Sequence, residues 1–293
     1  MRLSSPTLLY LSSLLSLATA FDAPQYNGFR QVWSDSFGGS AGQFPDEGKW
    51  NIVDGYFNPN DDHQTYFRNN KYVQLSGGQT LQLVPWRDGS QPRGWGSGRI
   101  ESKYVFTPEA GRRTMVEAQI RFGGNPTDQK QGIWPAFWLL GDSMRHGTNW
   151  PACGELDILE TVNGQLRGYG TAHCDVYPNG ICNEPAGRAG NIGVPTQDWQ
   201  NWRIVWDRTN GDWRNEQITW YMNGQQFHSL RGNDIGNQGV WASLAQKPMY
   251  IILNVAVGGN WVCSESLSPE NYSTNNISSP APRTAAPATD TAR

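Results

Sequence analysis

The run Cys153-Gly154-Glu155-Leu156-Asp157-Ile158-Leu159-Glu160-Thr161-Val162 sets three carboxylates inside an apolar, β-type stretch. Acids facing a core are costly, so one side of this run must be a surface that water or a ligand can use. Strand alternation puts Glu155 and Asp157 on one face and Leu156 and Ile158 on the other. Glu160 lies five positions beyond Glu155 and would point the wrong way in a regular strand. One extra residue around Ile158-Leu159, a β-bulge, returns it to the acidic face. The two Glu Cα atoms then stand about four pleat steps apart, roughly 13 Å. Side chains leaning together bring the carboxyls to about 5–5.5 Å, the separation of a carboxylate pair that cleaves a glycosidic bond with retention. Glu155 would attack the anomeric carbon. Glu160 would protonate the leaving oxygen and then activate water. Asp157, between them, would modulate both by hydrogen bonding and charge repulsion. Crowding three acids raises at least one pKa, which suits Glu160 as the acid. A solvated acidic face or a calcium site are the alternatives. Calcium draws its ligands at loop spacings, however, and this segment is not a loop. No metal is assigned and no cofactor is expected, with a structural calcium ion left open.

Positioning such a face requires a sheet. Short β-type runs separated by Gly, Pro, Asn and Asp recur at Tyr72–Leu75, Thr80–Val84, Thr114–Arg121, Ala136–Leu140, Leu156–Glu160, Trp202–Trp206, Gln217–Met222 and Tyr250–Val257. Several alternate cleanly, as half-buried strands do. Asn223-Gly224 predicts a hairpin leading into Gln225–Ser229. Helix signals are scarce. Many short strands with turns between them predict an all-β, two-sheet sandwich. No internal repeat and no linker interrupts the chain before residue 262.

Composition narrows the chemistry. The chain has 293 residues, a formal charge of −3 and no run of Lys or Arg, which argues against nucleic acid or an anionic membrane as a partner. Its bias is aromatic, with 14 Trp and 11 Tyr; flat rings offer a face to the C–H surface of a sugar, although many such rings simply fill cores. Arg2, the apolar Leu8–Leu17 and the small residues Ala18-Thr19-Ala20 read as a signal peptide over residues 1–20, followed by one domain over 21–262. The expectation is therefore a secreted, soluble monomer. Residues 263–293 are rich in Ser, Pro, Thr and Ala and are expected to be disordered. Both N-glycosylation sequons, Asn271-Tyr272-Ser273 and Asn276-Ile277-Ser278, lie there. Of four cysteines, Cys174 and Cys182 flank a turn-rich segment and are the favoured local pair, with three full pairings open.

With these residues the chain resembles glycoside hydrolase family 16, in its laminarinase-like branch of endo-1,3(4)-β-glucanases of fungal type. Glu155, Asp157 and Glu160 match the signature Glu-x-Asp-x-x-Glu; relatives acting on xyloglucan, and cell-wall transglycosylases, generally lack the extra residue. Further similarity lies in Val32–Phe37, Ser97–Ser102, Gly132–Trp138 and Asn254–Trp261. The resemblance implies a jelly-roll β-sandwich of two curved antiparallel sheets with an open substrate cleft on the concave face. It implies endo-hydrolysis of β-1,3- or mixed β-1,3/1,4-glucan. Trp138 and Trp150 would form a sugar platform, with Trp134 divided between that role and core packing. Arg99, Asn60, Gln64 and Tyr66 resemble the family's hydroxyl-binding positions. His173 would face the acids and bond to Glu160 or Asp157. Two departures stand out: Asp61-Asp62-His63 occupies a segment that usually holds a Glu, and the family's final strand, after Trp261, is absent. A non-catalytic β-glucan-binding protein, a transglycosylase and a β-1,3-galactanase are the rival readings on this scaffold.

Overall fold

The computed structural model describes residues 23–262. The expected signal peptide, the tail from Cys263 and both sequons lie outside the described residues. Alternation of the kind seen in Gln200–Asp207, where Gln200, Trp202, Ile204 and Trp206 are buried and the residues between them are not, builds most of the chain into strands. Eleven of these form two antiparallel sheets: β1 (Trp50–Ile52), β2 (Arg99–Phe106), β3 (Arg113–Ile120), β4 (Ile133–Gly141), β5 (Glu155–Glu160), β6 (Arg167–His173), β7 (Arg188–Gly193), β8 (Gln200–Asp207), β9 (Gln217–Met222), β10 (Gln225–Arg231) and β11 (Met249–Val257). The first sheet runs β1-β2-β11-β4-β5-β6-β7 and the second β10-β9-β8-β3. The result is the two-sheet sandwich that the strand pattern predicts, the jelly-roll β-sandwich that the resemblance implies.

The sheets meet through large side chains. Trp202, Trp206 and Trp220 from the second sheet are fully buried with Phe137, Leu139, Leu156, Ile158 and Leu159 from the first. Gly168 and Gly170 on β6 make the close approach possible. A Cβ at either would lie 2.2 Å from the Trp202 ring or 2.5 Å from the Trp220 ring. Between the sheets, the Trp220 indole donates to the Asp157 carbonyl at 2.7 Å. Among the described residues β3 pairs only with β8, so its other edge is open. A trough of about 1900 Å³, lined by Trp33, Phe106, Val116, Phe137 and Leu253 among others, runs beside that edge on the core side.

Most expected strands sit within one to three residues of their predicted bounds, and Gln217–Met222 coincides. The Asn223-Gly224 turn has both residues at positive φ, 49° and 81°, as a two-residue type I′ hairpin needs. Within the two sheets three strands escaped the sequence reading, as did the shorter strands Gly55–Tyr56, Gln64–Tyr66, Trp86–Arg87 and Trp95–Ser97 outside them. β1 is only three residues long. β2 alternates Arg99, Glu101 and Lys103 with Ile100, Ser102 and Tyr104, and the buried polar Ser102 interrupts its apolar face. β7 is a largely exposed edge of Gly, Ala and Asn. A short helix, Gln238–Ala245, is likewise unpredicted. The Asn237 side chain caps its first amides, and Trp241 and Leu244 pack beneath it.

Leu156 points wholly into this core while its neighbours on β5 face the other way. Leu156→Ala is therefore expected to cost about 2–5 kcal/mol of stability, measured by urea or thermal denaturation. A loss under about 1 kcal/mol would mean that the inward face of β5 is not tightly packed.

Candidate active site

The outward face of the first sheet is organised around β5. Against β4, Leu159 pairs with Phe137 and Asp157 with Trp138, so two steps on β5 answer one on β4. Against β6, Asp157 pairs with Thr171 and Glu160 with Tyr169, again with one residue extra on β5. The bulge is thus at Ile158-Leu159. Both of these side chains are buried in the core, and Glu155, Asp157 and Glu160 share the opposite face. The bulge frees strand hydrogen-bonding groups, and the Trp220 bond to the Asp157 carbonyl satisfies one of them.

Around the acids each neighbour has a distinct part. His173 stands across from Glu155 in the ladder. Its Nε2 lies 3.4 Å from Asp157 Oδ2, and its Nδ1 lies 2.6 Å from Glu184 Oε2. The longer contact is an ion pair rather than an aligned hydrogen bond, since Asp157 Oδ2 has no hydrogen-bond donor among the described residues. On the other side the Trp134 indole donates to Glu160 Oε1 at 2.8 Å. Trp261 meets Trp134 and Tyr169 edge-on, with centroids 5.1 and 5.4 Å away.

Burial, and then the charge of Asp157, hold the Glu160 carboxyl well above the usual carboxylate range. The same two causes also push Glu155 up. His173 opposes both shifts; Arg99 further helps Glu155 to ionise, and the Trp134 hydrogen bond helps Glu160. Burial alone would push His173 down. The carboxylates of Asp157, Glu184 and Glu155 outweigh it and lift the imidazole to about 11, so the ring is a cation at neutral pH. Donor atoms of Glu155, Asp157 and His173 lie within 4.8 Å of one another. That spacing would suit a metal ion, but both nitrogens of His173 already face carboxylates, so the imidazolium itself supplies the positive charge.

The remaining sequence-predicted residues fall into an inner and an outer group. Arg99 is buried, paired with Glu101 at 2.7 Å and 5.0 Å above the Trp138 ring. Trp138 donates to Asn254 at 2.7 Å, and Asn254 donates to the Tyr66 hydroxyl at 3.1 Å. Tyr66 and Gln64 lie beneath this face rather than on it. Gln64 is fully buried, and its carbonyl accepts from the Val257 amide at 2.7 Å, tying down the end of β11. Its Nε2 has no partner among the described residues. Asn60 is exposed at the rim, where its carbonyl accepts from the Asn260 amide. Trp150 sits beyond Glu155, 5.6 Å from His173 and 6.0 Å from Tyr177. Sequence reasoning assigned no role to Glu184, Asn254 or Trp261. The last two fall in a quoted motif, whereas Glu184 carries no local signal beyond its closeness to Cys182. That cysteine pairs with Cys174 as expected, and Cys153 is buried without a disulfide partner among the described residues.

Residues 60–274 match the family profile described as "Glycosyl hydrolases family 16". The chain is 29% identical to glucan endo-1,3-beta-glucosidase A1 of Niallia circulans, over 84% of this chain and 36% of that protein, so it spans about a third of that relative's length. It is 28% identical to a beta-glucanase of Rhodothermus marinus, over 82% of this chain and 80% of that one. Among solved structures, an endo-1,3-beta-glucanase from Streptomyces sioyaensis superposes with a TM-score of 0.77 at 31% identity, covering 83% of this chain and 91% of that one.

An N–H donor stabilises a carboxylate, so removing the Trp134 indole must raise the Glu160 pKa further. In Trp134→Phe the ¹³C carboxyl titration of Glu160 is expected to move to higher pH while Glu155 moves less. A downward or absent movement would show that the 2.8 Å contact carries no weight.

Proposed function

The chain belongs to glycosyl hydrolase family 16, and from that premise we propose that it cleaves internal β-1,3 or mixed β-1,3/1,4 bonds of a β-glucan by double displacement. The observation that carries the mechanism is the bulge in β5, which sets Glu155, Asp157 and Glu160 on one face with an imidazolium beside them. The relatives' names support glucan as the substrate class.

In the first step the Glu155 carboxylate bonds to the anomeric carbon as the glycosidic C–O bond breaks. The departing oxygen takes the Glu160 proton. In the second, the Glu160 carboxylate removes a proton from water, whose oxygen attacks the same carbon and releases Glu155. Two inversions give net retention. Glu155 suits the anionic role because His173 and Arg99 both favour its charge. Glu160 has the stronger reason to hold a proton, half-buried against Asp157 with no second cation beside it among the described residues. Trp138 under Arg99 and Trp150 beside His173 are proposed as sugar platforms on the glucan path, with Trp134 and Trp261 bordering the acid. Arg99, Asn60, Gln64 and Tyr66 are proposed to bind or brace hydroxyl contacts. We also infer export, supported by the N-terminal Arg2 and Leu8–Leu17 pattern and by the Cys174–Cys182 disulfide, which suits an oxidising compartment.

Reducing-end release from laminarin, lichenan and β-1,3-galactan tests this reading. Release from laminarin or lichenan is expected, with the first product in the β-anomeric form by ¹H NMR. Glu155→Ala should abolish it, and Glu160→Gln should lower kcat by about 10²–10⁴-fold. The pH profile should fall on the acid side as Glu155 gains a proton and on the alkaline side as Glu160 loses one. An α-anomeric first product, or folded protein that binds laminarin without cutting it, would overturn the proposal.

A further inference from the structure

The Cys174–Cys182 disulfide closes a loop directly after β6, and the chain leaves it through Glu184. The Glu184 side chain is fully buried, an expensive place for a carboxylate unless both oxygens are used. Oε1 accepts from the Cys174 amide at 2.8 Å, a bond that fastens the loop to the end of β6. Oε2 is spent elsewhere, 2.6 Å from His173 Nδ1. The backbones of Glu184 and Asn179 bond to each other in both directions, which fixes where this carboxylate points.

We propose that Glu184 is a positioning residue for the acid pair: by engaging Nδ1 it holds the His173 ring with Nε2 turned to Asp157 as an ion pair, between Glu155 and Glu160. This rests on the glycosidase reading of that pair. With Nδ1–H engaged by Glu184, Nε2 can direct a second N–H at Asp157 only if the ring is an imidazolium. Glu184 therefore supplies a charge to the site that the Glu-x-Asp-x-x-Glu segment does not contain. Glu155, Asp157 and Glu160 act on the ring from β5. Arg99 acts on Glu155 from β2, and Glu184 is the carboxylate that reaches the ring from the far side.

Glu184→Gln separates this role from a structural one. Its amide oxygen keeps the bond to the Cys174 amide, while its NH₂ group now faces Nδ1. A donor there requires Nδ1 to be an acceptor, so the ring becomes neutral with its proton on Nε2. Removing the buried negative charge also makes the imidazolium release its proton sooner. In ring-¹⁵N NMR, wild-type His173 should remain an imidazolium across about pH 5 to 9, whereas in Glu184→Gln it should titrate inside that range. The alkaline limb of kcat for laminarin should move to lower pH, following the loss of charge from the ring. At the optimum kcat should fall by about 10- to 100-fold, the range typical of residues that orient a functional imidazole, with KM changed by less than about twofold. His173→Gln assigns the resonance, and combining it with Glu184→Gln should add no further loss.

An unchanged ring titration in Glu184→Gln would overturn the proposal. So would a loss of kcat equal at every pH and accompanied by a lower melting temperature, or additive losses in the double variant. If the wild-type protein releases no sugar, the hydrolase reading fails on that result, and the ring titration still decides the part played by Glu184.

Discussion

The organising constraint is the desolvation of negative charge. Glu155, Asp157, Glu160 and Glu184 converge on one small region, and Asp157 and Glu184 are almost wholly withdrawn from water. Isolated ionised carboxylates in such a place would each cost several kcal/mol. Two responses are available, protonation and pairing, and the site uses both. Glu155 and Glu160 are pushed toward the protonated form, whereas Asp157 and Glu184 flank an imidazolium. The arrangement has to hold at least one proton that it can lend, which is the requirement for acid catalysis at neutral pH.

The sandwich makes that cluster tolerable by assigning opposite faces of one strand to opposite solvents. Leu156, Ile158 and Leu159 lie in the core against Trp202 and Trp220, and burying them fixes the register of β5. A slip of one residue would send the acids inward and the leucines out. The bulge breaks the alternation at a single place, and there a tryptophan from the opposite sheet supplies a hydrogen bond to the Asp157 carbonyl. The same packing that stabilises the fold therefore holds the acid face in place, which links core mutations to site geometry without any contact with the reacting groups.

What was readable from the sequence follows from the range of the interactions involved. The bulge could be inferred because the three acids and the apolar residues between them are adjacent in the chain and must satisfy one local periodicity. Asn223-Gly224 was readable because a two-residue turn needs positive φ at both positions. The Cys174–Cys182 pair was favoured because a short, turn-rich segment separates them. Other features depend on distant partners. Arg99 meets Glu101 on its own strand, but its place above Trp138 depends on how β2, β11 and β4 line up. Gln64 resembles a sugar-contact position, yet its carbonyl is committed to the end of β11, 193 residues away. Glu184 lies in no recognisable pattern, because its importance comes from folding a disulfide loop back over β6.

The proposed division of labour between the two glutamates also rests on tertiary placement rather than on their order in the motif. The two are chemically identical, half-buried and raised by the same first two causes, burial and Asp157. Their neighbours differ in part. Both glutamates feel the His173 cation, but Glu155 stands directly across the ladder from it and also feels Arg99. Glu160 has no second cation among the described residues; it receives the uncharged Trp134 N–H and lies among the rings of Trp134, Trp261 and Tyr169. A charge is stabilised more by neighbouring cations than by a single neutral donor among aromatic rings. The negative charge of the pair therefore belongs on Glu155 and the proton on Glu160. Such coupled groups release their protons in steps that belong to the pair, so a change at either neighbour shifts both. Asp157 enforces the asymmetry by making simultaneous ionisation costly, and His173 keeps that cost from neutralising the proposed nucleophile as well.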